Sequence, residues 1–320
     1  ISGTLITMSS SSWVGMWMGL EINLLSILPI MSNVKNSAES ESAMKYFITQ
    51  TIASSIFLFS ILILMTKMSS QQSMVGMMMN SAILTKMGGA PFHFWFPEVM
   101  EGMTWMNSLI MLTWQKIAPM IIMMYSSKSI IFLTIAIVSS MLISGIMGIN
   151  QTSMRKIMAY SSINHIGWMI SSSFMIQSIW MIYLMIYSLI SMGIIMMLKM
   201  NNIYHMKQLI QSMSKSKLMK IMFILNFLSL GGLPPFLGFF PKWITINFLI
   251  ENKFLTLTYA MIVMTLMTLY FYMRITFSVL ILSTAEPTMK TKINKSFTIT
   301  LVNIMLLTML IICTSVFNFI

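Results

Sequence analysis

The chain has 320 residues, of which 57% are hydrophobic and 8% are charged, and its mean hydropathy is +0.84. A water-soluble domain cannot bury that much apolar surface, so the composition excludes a soluble globular protein. The formal charge of +12 comes from basic residues scattered through the predicted loops. Because phosphate binding needs a compact basic face, we expect no nucleic acid as a partner.

Apolar stretches near the bilayer-spanning length of about 20 residues recur along the whole chain. The sequence begins with a short apolar stretch at 1–8, which we interpret as a truncated first helix. We predict an all-α fold, a polytopic membrane helical bundle of about eleven transmembrane helices in one domain over 1–320, in which 254–320 is the least clearly patterned part. The predicted helices after the first stretch are 13–32, 43–66, 74–93, 105–125, 129–149, 154–174, 178–199, 221–248, 254–282 and 297–319.

The distribution of basic residues between the loops supports this helix count. Strict alternation places most of them on one side of the membrane, and the positive-inside rule makes that side the cytoplasm or the equivalent matrix of an organelle, with the C-terminus opposite. The basic side receives Lys35, Lys45, Arg155, Lys156, Lys199, Lys207, Lys215, Lys217, Lys220, Lys290, Lys292 and Lys295, and the other side receives Lys67, Lys128 and Lys253.

Four ionisable residues fall inside the predicted helices, and each costs at least about 2.5 to 3.5 kcal/mol to insert. They are Glu21 in WMGLEINLLS, Lys86 in ILTKMGGAP, Lys116 in TWQKIAP and Lys242 in FFPKWIT. Burial disfavours the charged forms of carboxylates and amines alike, so neighbouring buried Glu and Lys residues can pass a proton between them. This pattern favours a proton relay. A fixed internal salt bridge between Glu21 and one lysine is the alternative, and Lys242 lies far enough off centre to reach an interface.

Helix breakers accompany all three lysines, because Pro91, Pro119 and Pro241 lie nearby in the sequence. Two of these segments are similar: GGAPFHFWFP at 88–97 and GGLPPFLGFFP at 231–241 share a glycine pair, an early proline, aromatic residues and a final Phe-Pro. The alternation of helices gives them opposite directions in the membrane. We therefore predict two broken helices in inverted repeats, as in transporters, although a bundle with ordinary proline kinks remains an alternative.

Three histidines complete the set of candidate residues. His165, in YSSINHIGW, lies near the middle of a predicted helix, where an imidazole could carry protons between the lysines or simply bond to a neighbouring hydroxyl. His93 and His205 have structural roles in this interpretation. Glu98 and Glu101 follow the first broken helix on the basic side, where they either guard a proton entrance or face water. The single cysteine, Cys313, can neither form an internal disulfide nor hold an iron–sulfur cluster alone, so we expect no redox centre in this chain.

Six segments occur in the order found in one family. WMGLEINLLS, KYFITQTIAS, GGAPFHFWFPEVMEG, LTWQKIAPM, YSSINHIGWM and NFLSLGGLPPFLGFFPKW together resemble the chain 2 family of antiporter-like membrane subunits of mitochondrial NADH:ubiquinone oxidoreductase, respiratory complex I. The resemblance runs through most of the chain and is clearest from 13 to 250. The family is related to subunits of multi-subunit sodium/proton antiporters, and its animal members have eleven helices.

The resemblance implies roles for five residues. Glu21 and Lys86 match a functional carboxylate–lysine pair, Lys116 a connecting lysine, Lys242 the lysine on the second broken helix, and His165 a histidine of the central hydrophilic axis. It further implies an antiporter-like proton-translocating subunit of the H+-translocating reductase in the mitochondrial inner membrane, where the distribution of basic residues predicts the C-terminus on the intermembrane-space side. NADH, FMN, iron–sulfur clusters and ubiquinone are then bound by other subunits and this chain holds no cofactor or metal.

The partners implied by the resemblance are the other membrane-arm subunits of complex I, protons and the lipid bilayer, with cardiolipin as a candidate lipid. Two further functions fit the same residues. A free-standing antiporter that exchanges a cation for protons would work without these subunits, and a structural membrane subunit would keep the buried charges only as salt bridges.

Overall fold

The computed structural model describes residues 1–32, 36–66, 72–126, 129–174, 177–213, 217–234 and 236–281. Within these ranges the regular structure is helical, apart from one isolated bridge between Ser153 and His205. This confirms the predicted all-α class. The predicted last helix, 297–319, and Cys313 lie outside the described residues.

The α-helices are labelled here in chain order. They are α1 (Ser2–Ser9), α2 (Trp13–Met31), α3 (Ser37–Met65), α4 (Gln72–Met87), α5 (Trp95–Gly102), α6 (Trp105–Leu112), α7 (Ile117–Ser126), α8 (Ile130–Ile149), α9 (Met154–Ser173), α10 (Gln177–Met200), α11 (Met206–Met213), α12 (Lys217–Gly231), α13 (Phe239–Glu251) and α14 (Leu255–Ile281). Of the helices in the described ranges, six are long and apolar enough to cross a membrane: α2, α3, α6 with α7, α8, α10 and α14.

Several predicted boundaries need correction. The predicted helix 43–66 already begins at Ser37, and the predicted connection 200–220 contains the short helix α11. The predicted helix 105–125 is interrupted by a 3₁₀ segment at Trp114–Lys116, so a third break accompanies the two that the sequence predicts. The predicted stretch 1–8 forms a helix that packs against α2.

The two predicted breaks begin with the same backbone turn. Gly88 and Gly232 have φ values of 73° and 78°, a conformation that favours glycine. In each case the glycine N–H bonds to the carbonyl three residues earlier and the next N–H bonds to the carbonyl five residues earlier, which is the Schellman motif. Aligning Gly88 with Gly232 makes the breaks equal in length and superposes Pro97 on Pro241.

The opposite directions of the two broken helices follow from their order in the chain. Between α4 and α12 the chain passes through α6 with α7, α8, α9 and α10, and alternation of direction along these four segments leaves α4 and α12 running opposite ways. The chain therefore has the inverted repeats and broken helices predicted from the sequence.

Helix α9 lies in the centre of the bundle, and it packs against α5, α6, α8, α10, α13 and α14. It is one of the least apolar long helices, yet nearly every residue on it is buried. Its serines explain how a polar helix can be buried, because their hydroxyls find partners within the helix itself. Each donates to the carbonyl three residues earlier, as seen at Ser161, Ser162, Ser171 and Ser172. Small, internally satisfied side chains let neighbouring helices approach closely.

Residues predicted on the basic side meet at one end of the bundle. Lys45 bonds to Glu98 at 3.1 Å, and Lys156 bonds to Glu101 at 2.6 Å. Arg155 also donates to the carbonyl of Met103, the residue that follows α5. Glu98 and Glu101 are thus lysine partners at a polar end of the molecule.

Candidate functional site

Glu21 and Lys86 form an ion pair inside the bundle. The carboxylate on α2 and the ammonium at the end of α4 lie 3.7 Å apart, which is within ion-pair range but longer than a hydrogen bond. The Lys86 side chain is 4% exposed and that of Glu21 is 24% exposed. The Glu21 Oε1 atom is buried and receives no hydrogen bond from a donor among the described residues. The pair is therefore loosely coupled, and its lysine is the deeper member.

Side chains from other helices satisfy the broken end of α4. The Gln50 side-chain amide on α3 donates to the Lys86 carbonyl at 3.2 Å, and the Trp95 indole donates to the Thr85 carbonyl at 3.0 Å. A helix end leaves carbonyls without intrahelical donors; Gln50 supplies one for Lys86, and Trp95 adds a second bond to the Thr85 carbonyl, which already accepts from the Gly88 N–H. These two bonds fix the backbone that carries Lys86.

Lys116 lies at the 3₁₀ segment between α6 and α7 and is 2% exposed. Its ammonium lies 3.4 Å from the Ser162 carbonyl oxygen on α9, which is a long hydrogen bond. Two aromatic rings face it: the Tyr187 ring centroid is 4.9 Å from Nζ and the Phe96 centroid is 5.9 Å away. Phe96 also packs against the first break, because a Cβ on Gly88 would come within 2.9 Å of it.

Lys242 lies in the first turn of α13 and is 6% exposed. Its ammonium is therefore buried in the bundle and does not extend to the membrane–water interface, an alternative that the sequence left open. Its ammonium donates to the carbonyl of Gly231, the last residue of α12, at 2.9 Å. The Trp168 ring of α9 lies 5.8 Å from the same ammonium. The lysine thus spans the second break and joins its two ends.

His165 lies between the two lysine environments on α9. Ser162, His165 and Trp168 follow one another at three-residue spacing, which places them along one face of the helix. Ser162 contacts Lys116 and Trp168 faces Lys242, so His165 lies on α9 between the contacts to the two lysines.

The two imidazole nitrogens of His165 have different surroundings. Nδ1 lies 2.9 Å from the Tyr183 hydroxyl on α10, whereas Nε2 is buried without a hydrogen-bond partner in the described part of the chain. The imidazole lines a cavity of about 10 Å³ together with Ser229, Gly238 and Pro241, near the smallest size that holds a water.

The structure thus brings Glu21 and Lys86 into direct contact and aligns Lys116, His165 and Lys242 along α9. Residues that the sequence analysis did not single out complete the site: Gln50, Phe96, Trp168, Tyr183 and Tyr187. Of these, Gln50 carries a signal, since it is an amide side chain beyond Lys45, the last charged residue of a helix that is mainly apolar from there on. The aromatic residues carry none, because rings abound throughout this sequence. Within the described residues, no three His, Cys, Asp or Glu side chains gather as metal ligands.

Buried lysines at broken helices in a membrane bundle define an antiporter-like membrane subunit, and residues 10–268 match the family model for the transmembrane region of NADH:quinone oxidoreductase and Mrp antiporters. The chain is 48% identical to NADH-ubiquinone oxidoreductase chain 2 of Anopheles gambiae over 289 residues, covering 88% of this chain and 84% of the relative. It is 46% identical to chain 2 of Locusta migratoria over 320 residues, covering 98% and 94%. The chain therefore belongs to the NADH-ubiquinone oxidoreductase chain 2 family.

Solved structures share the fold at lower identity. A chain of respiratory complex I from Thermus thermophilus superposes with a TM-score of 0.84 at 21% identity, over 96% of this chain and 75% of that one. A chain of the Mrp complex from Dietzia sp. DQ12-45-1b gives a TM-score of 0.78 at 15% identity, over 91% and 60%. At these identities the likeness extends to the fold alone.

Proposed function

We propose that this chain translocates protons across the mitochondrial inner membrane as a membrane-arm subunit of complex I. A change in the Glu21–Lys86 pairing starts the transfer, and protons then step along Lys86, Lys116 and Lys242, with His165 between the last two. Quinone reduction elsewhere in the complex drives the change. The observation that carries the proposal is the loose Glu21–Lys86 ion pair, with its lysine buried, at a broken helix.

The energetics of the membrane require a relay that is gated. Moving one charge across 100 mV takes about 2.3 kcal/mol, so a continuous open path would dissipate the gradient. The Phe96 ring packs against Gly88, two residues after Lys86, and its centroid lies 5.9 Å from the Lys116 ammonium, and Lys242 is bonded to a backbone carbonyl. Each lysine must change its partner to pass a proton on, which is the property that a gate needs.

The division of labour in the assembly follows from the same proposal. NADH, FMN, iron–sulfur clusters and ubiquinone bind other subunits, and this chain contributes no redox centre. Its partners are the neighbouring membrane-arm subunits and the bilayer, with cardiolipin as a candidate lipid, and its C-terminus faces the intermembrane space.

The experiment compares complex I assembled with wild-type, Glu21→Ala or Lys86→Ala chains. Both substitutions should depress NADH:quinone turnover coupled to pumping, while NADH reduction of an artificial acceptor by the peripheral arm stays intact. Lys45→Ala is the matched control, because it removes a lysine from an exposed ion pair worth about 0.2 to 1 kcal/mol. Normal pumping in both site variants would refute the proposed roles.

A free-standing antiporter is the second candidate, favoured by the family model, whose description includes Mrp antiporters. The same residues would then serve cation–proton exchange without partner subunits. Migration on a native gel separates the two proposals. A complex I subunit is found only in a very large assembly with NADH oxidation activity, whereas a free antiporter also migrates and exchanges cations as a small species.

A further inference from the structure

Lys116 and Lys86 are buried to a similar degree but have different partners. Lys86 faces a carboxylate, whereas among the described residues no carboxylate forms an ion pair with Lys116. The Lys116 ammonium instead has a long contact to one carbonyl and lies over the rings of Tyr187 and Phe96. A buried ammonium without any partner would lose its proton, so these groups supply what stabilisation the charged form receives.

From this geometry we propose that Tyr187 is a positioning residue of the relay: its ring face, assisted by Phe96, replaces a carboxylate as the partner of the protonated Lys116. The inference rests on the proposed function and assigns one contact within the proposed proton relay. A carboxylate in a dry site would bind the ammonium strongly and trap the proton. An aromatic face holds it more weakly, enough to favour loading and little enough to allow release.

The same ring orients the next acceptor. The Tyr187 centroid lies 4.8 Å from that of His165, so one side chain touches both the lysine and the imidazole. Among the described residues, the groups in contact with the Lys116 ammonium are the uncharged Phe96 ring on α5, the Ser162 carbonyl on α9 and the titratable Tyr187 on α10, whose ring in turn contacts the titratable His165 on α9.

The test measures proton pumping and NADH:quinone turnover from about pH 6 to about pH 9 in complex I carrying Tyr187→Leu or Tyr187→Phe. Leucine removes the ring face, so protonation of Lys116 should require a higher proton concentration. The alkaline limb of the pH–rate profile should therefore move about one pH unit lower, which is a loss of about tenfold in rate at a given pH on that limb. Phenylalanine keeps the ring and should restore the wild-type profile. Tyr259→Leu, an exposed tyrosine on α14, is the control for loss of an aromatic residue.

A uniform loss in Tyr187→Leu with no shift of the profile would overturn the proposal, and so would equal defects in the Leu and Phe variants, since the hydroxyl rather than the ring would then matter. If Tyr187→Leu does not assemble, Phe96→Leu provides the same test with a smaller expected shift, because its ring is farther from Nζ. Lys116→Met separates a failure of the relay from a failure of the aromatic contact. Normal pumping in Lys116→Met refutes the proposed relay itself. Lost pumping in Lys116→Met together with an unshifted Tyr187→Leu profile refutes only the aromatic contact.

Discussion

The ammonium of Lys242 donates to the Gly231 carbonyl across the second helix break, at 2.9 Å. A cation in the first turn of a helix is opposed by the positive end of the helix dipole, and Lys242 occupies that position in α13. By reaching back to the carbonyl end of α12, it places its charge where the dipole of that helix favours it. The position of the Lys242 charge therefore depends on the distance between the end of α12 and the start of α13.

Substituting Gly232 should disrupt this arrangement. Its φ of +78° favours glycine, and a Cβ there would lie 2.9 Å from Lys242 Nζ. We expect Gly232→Ala to cost about 1 to 2 kcal/mol through the backbone alone and to displace the ammonium from Gly231. Proton pumping should fall by a larger factor than the amount of assembled complex measured on a native gel.

Gly76→Ala is the matched control for this substitution. Gly76 lies within α4, and a Cβ there would meet nothing within 4 Å. An alanine in an open helical position is expected to be neutral or to stabilise by about 0.5 to 1 kcal/mol. Equal pumping by the two variants would contradict the role assigned to the second break.

A charge-neutral double variant separates a relay from a fixed salt bridge at Glu21 and Lys86. Removing one partner leaves the other charge inside the bundle without it, which costs up to about 3 to 5 kcal/mol for a fully buried charge, whereas replacing both is close to neutral. We therefore expect Glu21→Gln and Lys86→Met each to reduce assembly and the double variant to restore it. Pumping should stay lost in the double variant, as measured in vesicles; recovery of pumping along with assembly would show that the pair is only structural.

Gln50 should prove important for the site although it carries no charge. Its amide is the donor for the Lys86 carbonyl at the end of α4. Gln50→Leu leaves a buried carbonyl without this donor, at a cost of about 1 to 3 kcal/mol. Thermal inactivation of NADH:quinone turnover should occur at lower temperature in this variant. Ser55→Ala, at an exposed position of the same helix, should change nothing, and identical inactivation curves for the two would refute the assignment.

Much of this architecture could be predicted from the sequence because membrane insertion penalises exceptions so strongly. A charge in an apolar helix, as at Glu21 or Lys86, is costly enough to mark a site by itself. Glycine and proline pairs similarly predict the breaks after Gly88 and Gly232. The same reasoning did not predict the 3₁₀ interruption at Lys116, because Pro119 alone does not distinguish a kink from a change of helix type.

The resemblance implies the Glu21–Lys86 pair, but the residues alone do not predict which partner each charge has. Lys86 is paired with Glu21, while Lys116 and Lys242 face rings and carbonyls, and which lysine receives the carboxylate depends on packing between helices distant in the chain. The importance of Trp168 depends likewise on its spacing from His165 along α9, which gains meaning only once both lysines are placed beside that helix.

The role of His165 can be decided by comparing it with its own hydrogen-bond partner. If the imidazole is a structural group bonded to Tyr183, His165→Phe and Tyr183→Phe each remove the same bond and should have similar effects, of about 1 kcal/mol or about fivefold in rate. If it carries protons between Lys116 and Lys242, His165→Phe removes the carrier, whereas Tyr183→Phe removes only an orienting bond. We expect the second pattern: pumping lost by far more than tenfold in His165→Phe and by only severalfold in Tyr183→Phe, with both complexes assembled on native gels. Equal losses would return His165 to a purely structural role and leave Lys116 and Lys242 to exchange protons through another group.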